Sequence, residues 1–150
     1  VSKMKRFAAA EDSYFTGSTW WQWCQAPGDP HGISYDGTSY DATSMHLVEL
    51  DASANLTGNV NPYYLDVLSR TRPNAIVGKP LSLTSNPDTG EMTLQASAQE
   101  TGITELWIPN RFGTPIITGT NATLKELRTV SGGYIADVEV SGDYTLVVGF

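Results

Sequence analysis

The chain has 150 residues, of which 40% are hydrophobic and 17% charged, and its formal net charge is −7. That length and apolar share suffice for a buried core, and no apolar run approaches membrane-spanning length. The acidic balance, with scattered Lys and Arg, argues against nucleic acid or an anionic membrane as the principal partner. A single cysteine, Cys24, excludes an internal disulfide, and with only His31 and His46 beside it a structural zinc site is implausible.

The chain begins with Ser2-Lys3-Met4-Lys5-Arg6-Phe7-Ala8-Ala9-Ala10-Glu11 after Val1, the basic, alanine-rich body of a helix through about Asp12. Met4, Phe7 and Ala8 share a face at three- and four-residue spacing. The segment lacks the charged region, apolar core and cleavage site of a signal peptide, so the expectation is a polypeptide that starts inside a larger fold. A strand is expected over Phe15 to Trp23, then an irregular segment over Cys24 to Tyr40. A second helix follows: Asn61 suits the cap, Pro62 the first turn, and Tyr63-Tyr64-Leu65-Asp66-Val67-Leu68-Ser69-Arg70 carries helical spacing until Pro73 stops it. A lone strand can neither pair its edges nor bury both faces, so this half needs partner strands from elsewhere.

After about residue 75 the pattern changes. Short β-rich runs are separated by turn signals: Leu81 to Ser85, Glu91 to Ala98, Glu105 to Pro109, Thr114 to Thr118, Thr123 to Val130, Tyr134 to Val140 and Tyr144 to Phe150. In Tyr134-Ile135-Ala136-Asp137-Val138-Glu139-Val140 the even-numbered residues face inward, with Asp137 and Glu139 outward. A small antiparallel β-sandwich is the expected architecture.

The segment Gly17-Ser18-Thr19-Trp20-Trp21-Gln22-Trp23-Cys24-Gln25-Ala26-Pro27-Gly28-Asp29-Pro30-His31-Gly32 holds three of the four tryptophans. In an extended run Trp21 and Trp23 point to one side, Trp20 and Gln22 to the other. An aromatic face suits the apolar C–H surface of a pyranose, while Gln22, Asp29 and His31 have the polar groups to orient hydroxyls; a buried aromatic strand end is the competing reading. Cys24 has no basic neighbour and reads as a buried thiol rather than a nucleophile. Asp29, Asp36 and Asp41 lack the alternation of a calcium loop, and Glu11, Asp12, Glu49 and Asp51 read as solvated surface carboxylates. Asn55-Leu56-Thr57 and Asn121-Ala122-Thr123 match glycosylation triplets, which arise often by chance. No metal or cofactor is expected.

Leu68-Ser69-Arg70-Thr71-Arg72-Pro73-Asn74-Ala75-Ile76-Val77-Gly78-Lys79-Pro80, followed by Asn86-Pro87-Asp88-Thr89-Gly90-Glu91-Met92-Thr93-Leu94, resembles a junction in the endoglycoceramidase-like branch of glycoside hydrolase family five. There the last barrel helix meets a C-terminal β-sandwich. The tryptophan segment ending in Gly28-Asp29-Pro30-His31 resembles the eighth barrel strand and its loop in the same group. The resemblance implies an α/β then all-β chain: residues 1–76 as the last helix, strand and helix of a (β/α)8 TIM barrel, residues 77–150 as the sandwich. It implies a glycosidase acting on a glycolipid or other glycoside, in a secreted bacterial protein. Both catalytic glutamates of such a retaining enzyme would precede Val1, leaving none in this chain, and a second polypeptide or upstream segment would complete the barrel. Trp21 or Trp23 would line a sugar subsite. Two other readings compete: a carbohydrate-binding or structural sandwich module using Trp107, Tyr134 or Tyr144, and an unrelated β-rich interaction protein.

Overall fold

The computed structural model describes residues 2–17, 47–50, 53, 55–60 and 62–150. In chain order its elements are α1 (Ser2–Tyr14), β1 (Val48–Leu50), β2 (Leu56–Val60), α2 (Pro62–Leu68), β3 (Arg72–Ala75), β4 (Lys79–Ser85), β5 (Met92–Pro109), a 3-10 turn (Asn110–Phe112), β6 (Ile116–Val130) and β7 (Gly133–Gly149).

Helix α1 runs two residues past the expected end at Asp12, and Phe15–Gly17 are not strand. The reason is local. Phe15 takes φ 51°, and the amides of Phe15 and Thr16 reach back to the carbonyls of Asp12 (3.4 Å) and Glu11 (3.0 Å). This is a Schellman closure with Phe where glycine is usual, and Phe15 packs on the sheet core, which offsets the left-handed backbone. Ala8 is buried and Met4 packs with Leu47, Val48 and Tyr64, but Phe7 is 51% exposed, so only part of the expected α1 face turns inward. Helix α2 starts at Pro62 as expected and ends at Leu68, two residues short of Arg70, to which the helical spacing runs.

Two strands pairings were not expected from the sequence. The β1–β2 pair forms a separate two-stranded sheet, and β3 contains Pro73, which reads in sequence as a helix stop. Proline is tolerated there because β3 lies on the outer side of β5. The five-stranded antiparallel sheet has the order β3-β5-β7-β6, with β4 also on β5. Strand β4 pairs the first half of β5 and β3 its second half, so β5 is lined along one side by both.

The runs Glu91 to Ala98 and Glu105 to Pro109 are two halves of one 18-residue strand, and β6 and β7 likewise join runs that read as separate. Register shifts fall at one level across the sheet, at Ala98/Gly102 and Thr120/Ala122. There the sheet bends sharply. Thr104 opposes Val138, and Tyr144 lies six residues further along β7, about 20 Å in an extended strand. Their hydroxyls are nonetheless 3.0 Å apart, which only a folded-over sheet permits. Its inner face buries Leu94, Ala96, Leu106, Ile108, Ala136, Val138, Leu146 and Val148 in one cluster. Complete burial of each larger aliphatic side chain contributes roughly 1.5–3 kcal/mol. Edge strand β6 is largely exposed and is blunted by two register shifts and by Lys125, Glu126 and Arg128.

Candidate functional site

Trp21, Gln22, Trp23, Asp29 and His31 lie outside the described residues, as do Trp20, Cys24, Asp36, Asp41, His46 and Asp51. The structure describes what flanks them in sequence: α1 before the segment, α2 after it, and the junction over residues 68–74 and 86–91 that ties both helices to the sheet.

Arg70 is the centre of that junction. Its Nη2 donates to Asp12 Oδ1 at 2.7 Å, and its Nε to both Asp12 oxygens at 3.3 and 3.2 Å. Nη2 also reaches Glu11 Oε2 (3.3 Å) and the Ala8 carbonyl (3.4 Å), and Nη1 the Val67 carbonyl (3.3 Å). The Arg70 and Asp12 side chains are only 8% and 6% exposed. Glu11 and Asp12 are therefore not the solvated carboxylates expected; the end of α1 carries them inward because a guanidinium awaits them. Removing water from such ions is costly, and the fork of charge-assisted hydrogen bonds on helix carbonyls and carboxylates is what offsets it. A lysine has no such fork.

The neighbouring residues lock the same turn to the sheet. Thr71, fully buried, donates its hydroxyl to the Gly90 carbonyl at 2.6 Å, and Ser85 Oγ donates to the Thr71 carbonyl at 2.6 Å. Arg111, from the 3-10 turn, donates to the carbonyls of Asp66 (2.6 Å), Ser69 (3.4 Å) and Pro87 (3.3 Å), so one cation satisfies carbonyls at the end of α2 and in the β4–β5 hairpin. Lys5 on α1 bonds Asp88 in that hairpin at 2.6 Å. Gly90 has φ +77°, and a Cβ there would collide with the rings of Phe112 and Phe150. The two stretches that carry the sequence resemblance are thus the two halves of one hydrogen-bonded joint.

Beyond the joint, Arg72 lies over the Trp107 ring at 5.9 Å, and burial, then the charge of Arg70, lowers its guanidinium pKa from the usual arginine value. Trp107 packs its ring edge against Gly132 and Gly133, and its buried Nε1 has no partner among the described residues. Tyr144 is buried against Thr104 and donates to the Val77 carbonyl at 3.0 Å, while Tyr134 packs on the core. These three aromatics serve packing. A concavity of about 240 Å³ on the β4–β5 hairpin is lined by Thr84, Ser85, Asn86, Glu91, Met92 and Thr93. Among the described residues no cluster of three or more His, Cys, Asp or Glu is placed to hold a metal, and no helix is long and apolar enough to cross a membrane.

No family description and no curated protein matches the sequence. Solved structures do. An endogalactoceramidase crystal structure aligns with 99% of this chain and 30% of its own, at TM-score 0.71 and 24% identity. The chain has the fold of part of an endogalactoceramidase. Endo-glycoceramidase II from Rhodococcus sp., as its lactosyl-enzyme intermediate, aligns with 99% of this chain and 29% of its own at TM-score 0.64 and 15% identity. Cryptococcus neoformans sterylglucosidase 1 aligns with 97% and 24% at TM-score 0.59 and 14% identity. The resemblance seen in the junction motif therefore extends over nearly the whole chain, which spans only about 30% of the longer chains it matches.

Sequence reasoning missed the Arg70 cluster. Its members stand 58 residues apart, and the one available signal was that Arg70 falls inside the junction motif.

Proposed function

We propose that the chain is the C-terminal part of a retaining glycoside hydrolase of family five, in the endoglycoceramidase-like branch. On this reading residues 1–76 end a (β/α)8 barrel and residues 77–150 form its β-sandwich. The enzyme cleaves the β-glycosidic bond of a glycolipid or other glycoside and is secreted by a bacterium. Trp21 or Trp23 stacks on a sugar ring, and Gln22, Asp29 and His31 orient hydroxyls. The acid/base and nucleophilic glutamates, about 5 Å apart in a retaining enzyme, belong on this reading after the fourth and seventh barrel strands, outside this sequence. The observation that carries the reading is the near-complete fold match to an endogalactoceramidase, and the lactosyl-enzyme intermediate named for the Rhodococcus protein supports covalent catalysis in that fold.

The test is intact-mass analysis of natively purified material, followed by hydrolysis of a fluorogenic lactoside. A second polypeptide of roughly 250 to 350 residues, the size of the barrel portion, together with activity, is the expected result. Replacing the sugar-facing tryptophan by alanine then lowers turnover with little change in the thermal midpoint. A folded 16.2 kDa species alone, without hydrolysis, overturns the reading in favour of a non-catalytic carbohydrate-binding or structural module.

A further inference from the structure

We infer that the first half of β6, residues 116–120, is a pairing edge for a second copy of this chain, joined antiparallel about a two-fold axis through Thr118. Strand β6 is the last on its side of the five-stranded sheet, so its outward N–H and C=O groups have no backbone partner among the described residues. The other free edges of that sheet carry guards. Pro73 removes a donor from β3, while β4 has Lys79, Pro80 and a register shift, with α1 lying against it. The second half of β6 carries Lys125, paired with Glu139, and Arg128, paired with Glu105 and Asp137. Residues 116–120 have no such guard. No charge falls within residues 113–124, in a chain whose net charge is −7. Ile116 is 61% exposed, and Thr118 and Thr120 are exposed on the same face.

The occupant follows from that neutrality. Thr118, Val147, Thr93 and Thr84 stand side by side across four strands, a row without a charge. A charged partner strand would find no counter-charge there, whereas a second copy brings an uncharged strand of the same length and alternation. With the axis perpendicular to the sheet, outward side chains stay on one face. Thr118 then meets its own counterpart and Ile116 meets Thr120, cross-strand pairs of the kind that stabilise an antiparallel ladder. Pro115 and the register shift between Thr120 and Ala122 bound the pairing. A ladder this short buries less than the roughly 1,200 Å² of a standard interface, so the dimer is weak and reversible.

The test is sedimentation velocity of the chain at concentrations up to about 0.5 mM, where weak interfaces are populated. The expected weight-average mass rises reversibly from 16.2 kDa toward twice that value. Thr118→Lys sets like charges opposite each other and weakens association about tenfold, as does Thr118→Glu. An equimolar mixture of the two variants recovers association, because lysine then faces glutamate across the axis. Thr93→Lys, on the same face but on an inner strand, leaves association unchanged. Hydrogen exchange adds the location: amides of residues 116–120 slow several-fold with rising concentration, and those of residues 125–128 do not. If Thr118→Lys fails to fold when dilute, Ile116→Lys replaces it. A parent that stays at 16.2 kDa throughout overturns the proposal. Equal loss of association in Thr93→Lys and Thr118→Lys also overturns it, since that pattern means stacked sheet faces, and so does concentration-dependent protection confined to α1.

Discussion

At the scale of single residues, buried polar groups in this chain work in closed sets. Tyr144 is 3% exposed; its hydroxyl is paired with Thr104 Oγ1 and donates to the Val77 carbonyl, while Thr104 also accepts from the Val77 amide at 3.1 Å. Tyr144→Phe leaves both the Thr104 hydroxyl and the Val77 carbonyl short of a partner, and is expected to cost about 1–3 kcal/mol in urea unfolding. Burial raises the Tyr144 pKa from 10.0, more than its two hydrogen bonds lower it. The sign follows: the folded state holds the proton longer than the unfolded one. The associated stability is complete below the unfolded pKa and is lost as pH rises through the folded pKa. The stability gap between parent and Tyr144→Phe should therefore be constant up to about pH 9 and narrow above pH 10. A gap that stays constant to higher pH contradicts the desolvated phenol.

At the scale of elements, the bend decides how the long strands fold over. On β6 the register shift falls at Asn121, whose φ is 53° and whose Nδ2 donates to the Asp143 carbonyl on β7 at 2.8 Å. Two substitutions separate these contributions. Asn121→Gly relieves the left-handed backbone but loses the bond, so its midpoint should change little; Asn121→Ala loses the bond and keeps the strain, about 1–2 kcal/mol worse. Equal midpoints would mean that the bend is set elsewhere, for instance at Gly142 with φ 58°. The same bend marks the limit of what the sequence disclosed. The alternation over 134–140 was legible because one face is buried, with Ala136 and Val138 fully inside. The continuity of β5 was not, since Gln99-Glu100-Thr101-Gly102 has the polarity of a turn while its backbone stays in the strand. Strand β3 was hidden for the opposite reason: Pro73 marks the end of a helix in sequence, and the pairing that makes it a strand comes from Trp107 and Leu106, over 30 residues away.

At the scale of the whole molecule, the joint around Arg70 and Arg111 makes the helices and the sheet one unit, yet α1 has a second face that nothing described here covers. Phe7 is 51% and Tyr14 78% exposed, and with Lys3 and Ala10 they follow helical spacing along one side. Aromatics this exposed at that spacing are costly to leave in water, whereas the opposite face of α1 is committed to Tyr64 and Arg70. If a barrel portion completes the fold, this outer side of α1 is where it docks, and the sheet's own exposed apolar residues are not. Hydroxyl-radical footprinting of the chain alone and with its completing polypeptide distinguishes the two. Oxidation of Phe7 and Tyr14 should fall several-fold on completion, while Ile103 on β5 and Ile116 on β6, 46% and 61% exposed, stay unchanged. Protection of Ile103 and Ile116 with Phe7 and Tyr14 still reactive would instead make the sheet the docking surface, and α1 an end of the fold rather than its interior.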